Sequence, residues 1–429
     1  MPAIAARVPL AQARAYWFAR QALATPAAAA EPAADVVART GWLRTVGGAE
    51  GYIAAHARLS AGADTRAVLD AAAARRDLVL TPAVRGCIYI VPRRDASLAL
   101  AAAAAQARDR TVADAAKAGV SAAELADVGT AVVDVLAGGP RTTDGVRKSL
   151  PGGVARGLGE AGKRVGVSSP LPPALRLLEF DGRIVRQPEG DRLDTERYRW
   201  RLADGPAEPS ALDGGDLARA LAERFFAFAG PATRDDFAVW SGLPKRDVDA
   251  ALAAAAASGA LAPVAVDGYA EVAWLPADAV ADLTGAGPSD RLALLGFEDN
   301  FTALHGPIGT VVAPRHHDVV VEQWGRLGPT RLGDARHAHR RAIAAGGAVI
   351  GWWEYDPAAG EVAAATFEPP APAVRAALDD AAADVGRLLR DDVGHGRMSS
   401  IDSEASVAER AASVRAMAGG GGSGDARGL

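Results

Sequence analysis

Five cations between Arg147 and Arg164 form the densest basic stretch of the chain: Arg147, Lys148, Arg156, Lys163 and Arg164, with only Asp144 and Glu160 as close acids. Gly152-Gly153 and Gly157-Leu158-Gly159 lie among them. These glycines lack both the lysine and the preceding strand of a nucleotide phosphate loop. The chemistry left to the cations is neutralisation of a nucleic-acid backbone. Lys245 and Arg246 open an alanine-rich helix, where side chains and amide groups meet phosphates or are simply solvated. Arg85, ahead of Gly86 and a strand, either anchors a phosphate or pairs with an internal acid. Glu50, beside Gly47-Gly48 at a helix start, is a partner of the helix dipole or a general acid–base group. His316-His317 and His337-x-His339 come without a convincing carboxylate or cysteine set. Arg315, Arg336, Arg340 and Arg341 beside them disfavour a cation, so neither metal nor cofactor is expected.

The elements that would position these groups are clearest from Asp216 to Leu275. An amphipathic run to Phe228 ends at Gly230-Pro231. Thr233 caps a second helix with Asp236 at its third position, and Phe237, Val239 and Trp240 supply apolar contacts. Ser241-Gly242-Leu243-Pro244 makes a turn, and a third helix runs from Pro244 or Lys245 to about Ala257. Strands Ala262–Val266 and Glu271–Leu275 follow, joined by Asp267-Gly268. Helix, helix, turn, helix and hairpin is the order of a winged helix, which most often lays its third helix on DNA.

Bulk numbers bound the rest. The chain has 429 residues, 49% hydrophobic but only 5% aromatic, and much of the apolar content is alanine. That composition reads as helix-rich with modest cores, enough for two to four domains. No run of about 18 apolar residues is present and no basic-then-apolar leader is seen, so a soluble cytoplasmic protein is expected. Cys87 is the single cysteine, which excludes an internal disulfide and a cysteine-based zinc site. Net charge is −5. Residues 1–200 hold about 27 Lys and Arg against about 20 Asp and Glu, roughly +7, leaving about −12 behind them. A basic front half suits a protein that presents one face to a polyanion.

Along the chain, helices are predicted at about Leu10–Leu23, Pro32–Thr45, Gly51–Leu59 and Thr65–Arg76, then strands Leu78–Thr81 and Cys87–Val91, then a helix from Asp95 to about Arg108. A capping box, Ser121 with Glu124, opens the second unit. That unit ends in strands Arg183–Arg186 and Arg197–Leu202. The expected fold is mainly α with α+β winged-helix modules: three tandem winged helices at 1–115, 116–208 and 209–287. A β-rich C-terminal domain with a terminal helix follows at 288–392, then a flexible tail at 393–429. Strands are expected there at Leu292–Phe297, Gly309–Val312, Asp318–Glu322, Ala348–Glu354 and Glu361–Phe367. Trp352-Trp353 is expected to point one ring inward and one outward.

Three stretches carry a resemblance. Arg85-Gly86-Cys87-Ile88-Tyr89-Ile90-Val91-Pro92 is similar to an Arg-Gly-Thr-x-His-x-Val-Pro strand. Gly51-Tyr52-Ile53-Ala54-Ala55-His56-Ala57-Arg58-Leu59 is similar to a Tyr-Ile/Leu-x-x-Trp-x-Arg-Leu helix. The third runs from Gly230-Pro231-Ala232-Thr233 through Asp236-Phe237-Ala238-Val239-Trp240-Ser241-Gly242-Leu243. Together they resemble the AlkZ-like (YcaQ-like) winged-helix DNA glycosylases over about residues 10 to 370.

The resemblance implies a curved array of winged helices gripping double-stranded DNA, working without metal or cofactor. It further implies hydrolysis of the N-glycosidic bond of alkylated or crosslinked bases. Such bonds break through an oxocarbenium-like sugar, which calls for a polar or acidic group to hold water. The family carries that group as Gln-x-Gln or Gln-x-Asp. Counting back from Tyr52 and Arg58 puts the motif on Arg44-Thr45-Val46, and matching the glycine pair puts it on Glu50-Gly51-Tyr52. Arg44, Glu50 and Tyr52 are therefore the catalytic candidates. Neither register holds a glutamine, and the motif occurs nowhere in the chain. Tyr89 stands in place of the family's strand histidine. Leu294-Leu295-Gly296-Phe297-Glu298-Asp299 matches Leu-Leu-Pro-x-x-Asp, but Leu304-His305-Gly306 follows without the family's arginines. Three functions stay open, the first two being a monomeric repair or self-resistance glycosylase and a catalytically silent DNA-binding or regulatory protein. A winged-helix protein scaffold is the third.

Overall fold

The computed structural model describes residues 3–204, 212, 214–323 and 328–419. Its first 290 or so residues repeat one plan three times: helix, short strand, further helices, hairpin. In the first unit these are helix Ala33–Thr40, strand Leu43–Arg44, helices Glu50–His56 and Thr65–Ala74, and strands Leu78–Pro82 and Ile88–Pro92. In the second they are helix Ala122–Ala137, strand Arg141–Thr142, helices Thr143–Ser149, Gly159–Val165 and Leu171–Phe180, and strands Ile184–Pro188 and Tyr198–Leu202. The third has helix Gly214–Ala229, strand Ala232–Thr233, helices Arg234–Ser241 and Lys245–Ala257, and strands Leu261–Val266 and Ala273–Pro276. In each, the short strand pairs with the second strand of the hairpin.

Local chemistry accounts for these boundaries. The Thr233 hydroxyl accepts from the Asp236 N–H while the Asp236 carboxylate accepts from the Thr233 N–H, the reciprocal cap expected there. Ser121 caps its helix in the same sense, but the Glu124 side chain turns away to Arg156. The helix expected over Pro32–Thr45 stops at Thr40 because Gly41 adopts φ +103°. Leu43 and Arg44 then form a strand opposite Ile90 and Tyr89. Gly309–Val312 is a helical turn instead of a strand, and the strand expected over Asp318–Glu322 shrinks to Val320–Val321.

The units are not separately cored. Phe225, Phe226, Phe228, Phe237 and Trp240 of the third unit share one core with Trp42, Tyr89 and Val91 of the first. Each such ring contributes roughly 1.5–3 kcal/mol through burial, so the two units are held as one body. The second unit has a core of its own, with Val132, Leu136, Leu171, Leu175 and Trp200. Residues Ala6–Val8 add a parallel strand to the third unit's sheet, pairing with Val264–Val266.

The C-terminal sheet runs Leu292–Leu295, Arg341–Ala345, Ala348–Asp356, Glu361–Thr366, all antiparallel. Trp352 and Trp353 point to opposite faces as expected, but both are buried and neither ring faces outward to solvent. The reason is that both faces are covered. Trp353 shares a core with Leu378 and Val385 of helix Pro372–Arg387, and Trp352 shares one with Ala411 and Val414 of helix Glu404–Gly419. That last helix lies in the stretch read as a flexible tail. Arg410 binds Glu354 and Asp402, and Arg415 binds Asp356. The glycine run from 420 onward lies outside the described residues. Among the described residues, no helix is long and apolar enough to cross a membrane.

Candidate nucleic-acid interface and its side pocket

Helix Ala96–Lys117 leaves the first unit and reaches the second. Gln106, Ala107, Arg110, Thr111 and Asp114, on one face of it, line a groove of about 830 Å³. Arg176 and Arg186 of the second unit and Gly242 of the third border the same groove. Gln106 fastens it: its amide oxygen accepts from the Arg85 N–H at 2.6 Å, and its amide nitrogen donates to the Ser241 carbonyl at 2.6 Å. Gly242, at φ +70°, brings its backbone close to the Arg85 side chain; a Cβ there would meet Arg85 Cγ at 2.9 Å. Arg85 itself sits at φ +59° in the turn Val84–Gly86.

Arg85 also borders a second, smaller pocket of about 40 Å³, shared with Arg44, Tyr89, Asp236, Glu298 and His337. That volume holds a few waters and no base. Glu298 is its central acid. One carboxylate oxygen pairs with Arg44, and the other lies 2.7 Å from His337 Nδ1. Glu298 takes φ +54°, a left-handed conformation that costs a non-glycine residue about 1 kcal/mol or more. Its neighbour fixes it there. Asp299 accepts two hydrogen bonds from Arg58, at 2.7 and 2.8 Å, and caps the next turn through the Phe301 N–H. Burial, then the fields of Arg44, Arg85 and Arg336, push the His337 imidazole below its ordinary value. Burial pushes the Asp236 carboxyl up. Tyr89 is raised by burial against the pull of Arg85 and Arg44.

The three catalytic candidates separate. Arg44 lies in this pocket. Glu50 does not: its carboxylate is buried, takes hydrogen bonds from Arg341 at 3.0 and 2.5 Å, and accepts the Phe297 N–H at 2.5 Å. Burial pushes Glu50 upward against the pull of Arg341. Tyr52 is also internal, donating to Asp70 and accepting the Leu193 N–H at 3.0 Å. Glu50 and Tyr52 thus join units together and line neither opening.

The cations expected to meet phosphate are all exposed, with local acids beside several. Lys148 lies 2.8 Å from Asp144, Lys163 2.6 Å from Glu160, and Arg147 4.0 Å from Asp144. Arg156 is gripped by both oxygens of Glu124, a partner 32 positions earlier in the chain. Arg246 pairs with Asp247 at 3.1 Å, and Lys245 and Arg164 are exposed on their helices. Among the described residues no three His, Cys, Asp or Glu side chains converge as a metal set. His316 lies near Glu368, and the His317 ring approaches the carbonyls of Gly309 and Val312. Sequence reasoning missed Glu298 and His337 as a pair; the match to Leu-Leu-Pro-x-x-Asp was the available signal, since it placed Glu298 next to the anchoring Asp299.

A groove floored by one helix thus lies beside a charged side pocket, and the comparisons name the family. The model of the DNA glycosylase AlkZ-like family matches residues 37–388, so the chain belongs to that family. Among solved structures, the chain is similar to the DNA glycosylase AlkZ of Streptomyces sahachiroi, with a TM-score of 0.62 and 20% identity. The match covers 92% of this chain and 99% of that one. No curated protein matches.

Proposed function

We propose that the three repeated units are winged helices whose shared groove seats double-stranded DNA, and that the protein hydrolyses the N-glycosidic bond of alkylated or crosslinked bases. The observation that carries this reading is Arg85, which borders both the groove and the pocket holding Glu298. Phosphate bound at the groove thereby lies next to a carboxylate suited to a sugar cation. An alkylated purine is already a cationic leaving group, so the site needs chiefly to stabilise charge and hold water. The test is release of free modified base from a nitrogen-mustard-treated duplex, measured by chromatography. Binding without release over a range of adducts would leave the second reading, a silent DNA-binding protein. The absence of the family's glutamine motif from the chain, with Arg44 or Glu50 in its register, favours that rival.

A further inference from the structure

We infer that Glu298 supplies the carboxylate function in this chain, holding the attacking water and facing the sugar cation, with Arg44 and His337 as its positioning residues. The inference rests on the hydrolase reading above. Arg44 alone would repel a developing cation, but it does not stand alone. Its guanidinium is matched by Glu298, delivered from the C-terminal domain rather than from the first unit.

The charge pattern around the pocket suits a nucleotide. Arg85 and Arg336 are exposed at its edge, where they meet the phosphates on either side of the sugar. Glu298 is nearly buried, its side chain 10% exposed, and lies deeper. The small volume admits water and an edge of the deoxyribose, while the base and its adduct stay in the wider groove. His337 Nδ1 lies 2.7 Å from the second carboxylate oxygen, on the side away from Arg44's contact.

The chemical step balances without a further reagent. The bond from C1′ to the base nitrogen breaks, and its electron pair leaves with the base, which departs neutral if it was a cationic N-alkylpurine. A water oxygen bonds to C1′. One proton of that water passes to the Glu298 carboxylate and from there to solvent. The products are the free base and an abasic sugar bearing a 1′-hydroxyl.

The test uses the full chain on nitrogen-mustard-treated duplex, reading single-turnover base release and, separately, duplex affinity. Glu298→Gln is expected to slow release by about 100-fold or more with affinity unchanged within a few-fold. Arg44→Ala is expected to lower kcat while leaving KM in place, and Arg44→Lys to recover much of the rate. Should Glu298→Gln not fold, the double variant Arg44→Met with Glu298→Gln removes the pair without leaving a lone buried charge, and the same loss is expected. Release at the wild-type rate by the foldable variant overturns the role of Glu298 and leaves the hydrolase reading intact. A wild type that binds duplex but releases nothing defeats that reading and takes this inference with it.

Discussion

Arg58 and Asp299, 241 positions apart, form a buried two-pronged ion pair that ties the first unit to the loop after the first C-terminal strand. Both side chains are almost wholly removed from water, so neither tolerates loss of the other. We predict that Arg58→Met or Asp299→Asn alone lowers unfolding free energy by about 3–5 kcal/mol in a urea titration. A double-mutant cycle should return a large part of that cost. Additive losses would mean that the pair is not the unit that holds the loop.

Glu50 provides the contrast with Glu298. Arg341, fully buried, is shared by Glu50 and Glu354 and also donates to the Gly396 carbonyl at 2.9 Å. Glu50→Gln is predicted to cost stability, on the order of 3 kcal/mol, because the buried Arg341 loses one of the two carboxylates that hold it. At a temperature where the variant is still folded, base release per folded molecule should match the wild type. A selective loss of turnover with unchanged melting would return the catalytic role to Glu50.

His305 gives the fold a dependence on acid. Its ring stacks on Trp17 at 4.0 Å and makes a 2.7 Å hydrogen bond to the Ala229 carbonyl. Burial lowers its pKa to about 4. Because the folded value is depressed below 6.5, the unfolded chain binds the extra proton first. Stability from this group is complete above about pH 6.5 and is lost as pH falls toward about 4. The size is about 3 kcal/mol for a shift of this width. Chemical denaturation of wild type and His305→Gln at pH 7 and pH 4.5 should show the difference between them narrowing at the lower pH; a constant difference would remove His305 from the account.

Phosphate engagement is predicted to be uneven among the exposed cations. Lys245→Ala and Arg164→Ala should each reduce the salt slope of duplex affinity by about 0.9, whereas Arg156→Ala, whose charge is already gripped by Glu124, should change it far less. Fluorescence anisotropy from 50 to 300 mM salt measures this. Equal slopes for all three variants would disconnect the groove from these helices.

Much of the local structure was legible because its causes are local. The Thr233–Asp236 cap and the helix beginning at Lys245 follow from capping chemistry and proline, whereas the hairpin after Leu261 closes through a longer loop than the expected Asp267-Gly268 turn, its second strand being Ala273–Pro276. The strand at Leu43–Arg44 was not legible, since it exists only through pairing with Ile90 and Tyr89, far along the chain. The tail helix was misread for a similar reason. Its interior is apolar only in alanine and valine, and its support comes from Trp352 and from Asp356, Asp402 and Glu354. The site divided along the same line. Arg44 could be reached by counting along the chain, but its partner Glu298 could not, because the two meet only after the C-terminal sheet docks on the first unit.

Helix Ala96–Lys117 spans roughly 33 Å at 1.5 Å per residue, about one turn of a B-form duplex. Since the second unit keeps its own core, that rod and the contact of strand Leu78–Pro82 with strand Ile184–Pro188 set how far apart the first and second units stand. Inserting a single residue into the rod would therefore turn the second unit by about 100° about its axis relative to the first.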